Sequence, residues 1–114
     1  MRITKLVSFG LILLGALSDL QSQTVVGTVT DEQGVLLPGA TITIAPANDP
    51  FNSQLIGVVT SLDGAYSAGV GAFLGTDVLV TCSYIGLEKQ QVKLKKLADR
   101  TYTMDWILEA SSEL

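Results

Sequence analysis

The chain of 114 residues carries seven Lys or Arg and eleven Asp or Glu, a net charge of −4, and 47% of its residues are hydrophobic. That length holds one domain at most, and the acidic balance opposes general binding to nucleic acid or to anionic membranes. The chain has no histidine, the commonest general base and metal ligand, and a single cysteine, Cys82, so an intramolecular disulfide, a Cys–His dyad and a thiolate zinc site within one chain are all excluded.

Arg2 and Lys5 lead into twelve uncharged residues from Leu6 to Leu17, the layout of a secretory signal peptide. The run is too short for a membrane-spanning helix, which needs about 20 apolar residues. Ala16 and Ser18 fit a cut before Asp19, and Ser22 permits one before Gln23. The second is preferred, because the first strand begins at Thr24. The expected organisation is therefore a signal peptide over 1–22, one domain over 23–110, and the start of a linker or tail over 111–114. Without residues 1–22, five basic and ten acidic side chains remain, a net charge of −5.

Strand patterns then follow in order. Over 24–30, Val25, Gly27 and Val29 alternate with Val26, Thr28 and Thr30, so each set takes one face of a strand. Asp31 and Gly34 supply turn chemistry, and Pro38-Gly39 closes the loop before a β-branched strand over 40–45. Asn48-Asp49-Pro50 marks a turn, a strand is expected over 55–60, and Asp63-Gly64 reads as a hairpin turn into a strand over 65–68. After the glycines at 71 and 75 comes a strand over 77–84, in which Cys82 is expected as a small buried residue, and then a turn at Ile85-Gly86. The next segment is ambiguous, since Leu87, Leu94, Leu97 and Ala98 have partial helical spacing. The alternation Gln90-Gln91-Val92-Lys93-Leu94 and the lack of a cap favour a strand at Lys89 to Leu94, followed by a turn at Ala98-Asp99. The last strand is expected over 101–109, with Tyr102, Met104, Trp106 and Leu108 on one face as core anchors.

Seven short strands separated by turn signals predict an all-β fold, a β-sandwich with Greek-key connections. All five basic residues after the signal peptide, Lys89, Lys93, Lys95, Lys96 and Arg100, fall in one stretch. They read as the wet face of a strand guarded against edge pairing. Asp31, Asp49, Asp63 and Asp99 lie in predicted turns, where a carboxylate ordinarily caps backbone N–H groups. No motif assigns a catalytic, cofactor-binding or metal-binding residue.

Four motifs carry a resemblance: Gly27-Thr28-Val29-Thr30-Asp31 with Gly34; Leu37-Pro38-Gly39-Ala40-Thr41; Thr60-Ser61-Leu62-Asp63-Gly64-Ala65-Tyr66-Ser67; and Ser83-Tyr84-Ile85-Gly86 followed by Gln91-Val92. In this order they resemble the carboxypeptidase regulatory-like domain found at the front of SusC-type TonB-dependent outer-membrane receptors. Residues 47–54 lengthen one connection, and Leu87 stands where that family often has an aromatic residue. The resemblance implies a seven-stranded, Greek-key, transthyretin-like (prealbumin-like) β-sandwich. It also implies a non-catalytic, exported accessory module of a TonB-linked nutrient-uptake receptor; the alternative is a free-standing periplasmic or secreted structural or adhesion module. No enzyme activity and no cofactor are expected. The expected location is the periplasm or the periplasmic face of the outer membrane, with a protein partner docked on the strand edge Lys89 to Leu94, no nucleic-acid partner and no span of the membrane by this chain.

Overall fold

The computed structural model describes residues 23–48 and 55–111. The expected signal peptide and its cleavage site, the turn residues Asp49 and Pro50, and residues 112–114 lie outside the described residues. Within them the chain is all-β, in two sheets, with no α-helix.

The strands are β1 (Thr24–Asp31), β2 (Thr41–Pro46), β3 (Ile56–Val59), β4 (Ala65–Gly69), β5 (Val78–Ser83), β6 (Gln90–Leu94), β7 (Thr101–Thr103) and β8 (Trp106–Leu108). One sheet is centred on β1, which pairs antiparallel with β4 on one side and parallel with β7 and then β8 on the other. The second runs β3-β2-β5-β6, antiparallel throughout. Register follows the period-two pattern. Val25 and Val29 of β1, Ile42 and Ile44 of β2, and Val78, Val80 and Cys82 of β5 are buried, while their neighbours face outward. The core between the sheets is made from these inward rows.

The segment 87–100 is strand then turn, as its alternation predicts, and Cys82 is fully buried. The last strand departs from expectation. Instead of one run over 101–109 it is two, β7 and β8, interrupted at Met104 and Asp105. Trp106 and Leu108 are buried, whereas Tyr102 and Met104 only pack against the core from its edge. The interruption sits against Gly27, where an added Cβ would lie 1.9 Å from the Met104 carbonyl oxygen. Asp105 turns its carboxylate to the Thr28 N–H, at 2.9 Å. Backbone approaches backbone here in a way that only glycine permits.

The turn at Asp63-Gly64 also differs from the expected hairpin. Gly64 has the positive φ that the turn demands, +70°, but β3 and β4 belong to different sheets, so the turn carries the chain across the sandwich. Thr60 anchors the crossing. It is buried, accepts the Ala40 N–H at 2.8 Å and donates to the Leu37 carbonyl at 2.5 Å. A hairpin turn signal is local chemistry, and the sheet in which the next strand pairs is decided by contacts such as these.

Candidate functional site

The Gln90–Leu94 strand ends its sheet: β5 pairs with it on one side, and no described strand pairs on the other. Register sorts its side chains. Val92 lies opposite Val80 and Leu94 opposite Val78, both buried, so Val92 and Leu94 share the inward row; Gln91 and Lys93 lie opposite Thr81 and Leu79 on the outer face. Despite its inward position Val92 is 40% exposed, and Leu94 is half-buried. Among the described residues no strand covers this seam.

The opposite end of the strand is closed. Leu87 bridges to Ala110, the Glu88 N–H donates to the Glu109 carbonyl at 2.8 Å, and the Gln90 side-chain amide donates to the Ile107 carbonyl at 2.7 Å. These contacts stitch the two sheets together as far as Gln90, and among the described residues no such stitch follows from Val92 onward. Gln91 is fixed on the outer face by donating to Thr81 Oγ1 at 3.0 Å.

The basic residues gather at this strand and the loop after it. Lys89, Lys93, Lys95, Lys96 and Arg100 are all exposed. The loop is held in shape: the Asp77 carboxylate accepts the Lys96 N–H at 2.8 Å, Leu97 is buried and exchanges backbone bonds with Gly75 and Thr76, and the Tyr102 hydroxyl accepts the Ala98 N–H at 2.8 Å. Lys96 takes φ +47°, a left-handed conformation uncommon for a residue with a side chain. Arg100 stacks on the Tyr102 ring with its guanidinium carbon 3.8 Å from the ring centre, a cation–π contact. The spacing of the lysines identified the patch from sequence. The Gln90 stitch and the Asp77 tether were not legible, because both join residues far apart in the chain.

Among the described residues the turn acids do not gather into a cluster of three or more. Asp31 accepts the N–H groups of Gln33 and Val35 at 2.9 and 3.0 Å, the capping role expected of it. Asp63 is exposed at its turn, and Asp49 lies outside the described residues. Among the described residues no three His, Cys, Asp or Glu side chains come together as metal ligands would. Burial pushes the Cys82 thiol up to about 11. The Tyr66 hydroxyl, also raised by burial first of all, accepts the Trp106 indole N–H at 3.0 Å and donates to the Met104 carbonyl at 2.6 Å. Elsewhere, Pro38, Gly39, Thr41, Ser83, Tyr84 and Ile85 line a cleft of about 560 Å³ at the end of the sandwich.

The class that this architecture defines is an all-β, two-sheet sandwich of the kind found in catechol 1,2-dioxygenases. The chain is similar to chlorocatechol 1,2-dioxygenase from Pseudomonas putida, with TM-score 0.57 and 17% identity, over 80% of this chain and 61% of that one. It is similar to the dioxygenase domain of a dioxygenase carbohydrate-binding protein fusion from Streptomyces sp. SirexAA-E, with TM-score 0.53 and 17% identity, over 77% and 79% of the two chains. It is similar also to catechol 1,2-dioxygenase from Pseudomonas arvilla C-1, with TM-score 0.57 and 12% identity, over 79% and 52%. The chain thus spans 61% and 52% of the two Pseudomonas enzymes. No family model and no curated protein matches the sequence.

These findings correct the expected resemblance. These similar solved structures are dioxygenases or dioxygenase domains, not carboxypeptidase regulatory-like domains. The reading of a non-catalytic SusC-type receptor module, its free-standing structural or adhesion alternative, and the expectation of no enzyme activity fall with it, since these similar structures are enzymes. The physical reason lies in the four motifs. They encode turns and strand alternation, among them the Asp63-Gly64 turn, which any sandwich can use. At such identities the likeness to the dioxygenases establishes the scaffold and leaves the chemistry to be decided by this chain's own residues.

Proposed function

We propose that the chain is an exported, dioxygenase-type β-sandwich domain that engages a protein partner by strand addition at the Gln90–Leu94 edge. The single observation that carries this reading is the side of that strand on which no described strand pairs, with exposed Val92 on its inward row and five of the protein's seven basic residues at the strand and the loop after it. An unpaired edge offers backbone donors and acceptors to an extended segment, and the alternating side chains select which segment fits. The fold in this reading is a seven-stranded Greek key, β7 and β8 counting as one interrupted strand, over 23–110 after a signal peptide at 1–22. The basic and apolar run before residue 23 supports export, and the periplasm or the periplasmic face of the outer membrane is the location this reading assigns. Val92→Pro removes a strand N–H and disturbs the edge. Captured from periplasmic and outer-membrane extract, a partner retained by wild type and lost by folded Val92→Pro supports the reading. Equal capture by both rejects this edge.

A second reading is favoured by the comparisons: the domain takes a ring diol of the catechol class in the cleft lined by Thr41, Ser83 and Tyr84, three residues that carry hydroxyl groups. Titration calorimetry with catechol tests it. Saturable binding weakened by Tyr84→Phe supports diol recognition, and no heat above dilution rejects it.

A further inference from the structure

We infer that the segment received at β6 alternates acidic with apolar residues, an inference that rests on the edge-docking reading above. The strand presents two different rows to a newcomer. Inward, Val92 and half-buried Leu94 continue the apolar rows of Val80 and Val78. Outward, Lys93 follows Gln91, and Lys89 and Lys95 keep the same odd-numbered parity at the two ends of the strand.

A strand added outside β6 sets its own residues opposite both rows. Those facing the seam must be apolar, since they cover Val92 and are removed from water with it. Those on the outer face stand beside Lys93 within reach of Lys89 and Lys95, where a carboxylate is attracted and an ammonium repelled. The same lysines act against a second copy. Two β6 edges paired together would bring their Lys93 rows side by side, and like charges across a strand pair are unfavourable. Charge complementarity therefore selects an acidic protein segment over self-association.

Short fluorescent peptides test this on the purified full chain: one alternating glutamate with valine, one alternating lysine with valine, and one alternating glutamate with serine. Anisotropy reads affinity, and hydrogen exchange at residues 90–94 reads position. The glutamate–valine peptide is expected to bind at least about fivefold tighter than the lysine–valine peptide, to outbind the glutamate–serine peptide, and to weaken with added salt. Lys93→Glu, an exposed change that leaves the core untouched, should reduce or reverse the preference between the two valine peptides. Equal affinities, or a preference of the wild type for lysine–valine, overturn the inference while protection at residues 90–94 still supports edge docking. Protection at 90–94 by none of the three peptides overturns edge docking and the inference together.

Discussion

Gly27→Ala is the substitution whose sign separates local from tertiary reasoning. Considered as a strand residue alone, alanine at a compatible backbone stabilises by about 0.4–1 kcal/mol, because it restricts the unfolded chain. The structure requires the opposite sign. The new Cβ would stand 1.9 Å from the Met104 carbonyl oxygen and 2.6 Å from its carbon. Ordinary contact is about 3.5 Å, so the backbone at Met104 must withdraw by roughly 1.5 Å. That segment is tethered. The Tyr66 hydroxyl donates to the Met104 carbonyl, the Met104 N–H donates to Val26, and Asp105 holds the Thr28 N–H. Overpacking costs about 1–3 kcal/mol and each loosened hydrogen bond about 1 kcal/mol more. A net loss of about 2–4 kcal/mol is expected, a large share of the roughly 5–15 kcal/mol that holds a domain folded. Urea unfolding followed by Trp106 fluorescence should show the midpoint falling by roughly 1 M or more, at unchanged slope. A midpoint that stays or rises would refute the close approach of Gly27 to Met104.

Three further outcomes are expected. Thr60→Val leaves the Ala40 N–H and the Leu37 carbonyl without their buried partner and should cost about 2–4 kcal/mol by urea melt; a loss under about 0.5 kcal/mol would mean that other groups satisfy the crossing. Trp106→Ala empties a buried indole site and removes the donor to Tyr66, for about 3–5 kcal/mol, whereas Trp106→Phe should lose roughly half as much; equal losses would assign the effect to the hydrogen bond and not to packing. The Cys82 thiol rises from about 9.0 unfolded to about 11 folded, so its contribution to stability is complete below pH 9 and is lost as pH climbs from 9 toward 11, by up to about 1.4 kcal/mol per pH unit. Cys82→Ala should flatten that part of the stability profile, and an unchanged slope would show that another group, Tyr66 foremost, is responsible.

Most of the strand plan was legible in the sequence because alternation is a property of each segment taken alone. Val25 and Val29, Ile42 and Ile44, and Val78, Val80 and Cys82 declare their face without reference to neighbours. The break at Met104 did not declare itself. The alternation of Tyr102, Met104, Trp106 and Leu108 runs through it unbroken, and its cause is a glycine 77 residues earlier, paired in space with Met104. The Asp63-Gly64 turn was equally plain as a turn and equally silent about the sheet change that Thr60 enforces. The same limit applies to the resemblance: turn motifs in the right order describe how a sandwich is stitched, and sandwiches of unlike function share those stitches. At the candidate edge, the lysine spacing was visible, but the opening beside Val92 follows from the stitch between Gln90 and Ile107, which only the folded chain brings together.

We propose that the Gln90–Leu94 edge receives a protein partner. Site-specific photo-cross-linking in cells that export the chain tests it most directly, with the reactive residue placed at Val92 and, as control, at exposed Val59 on the opposite edge of the same sheet. Position 92 is expected to form a discrete protein adduct that position 59 does not. An adduct from position 59 alone, the same adduct from both, or none from either would contradict it.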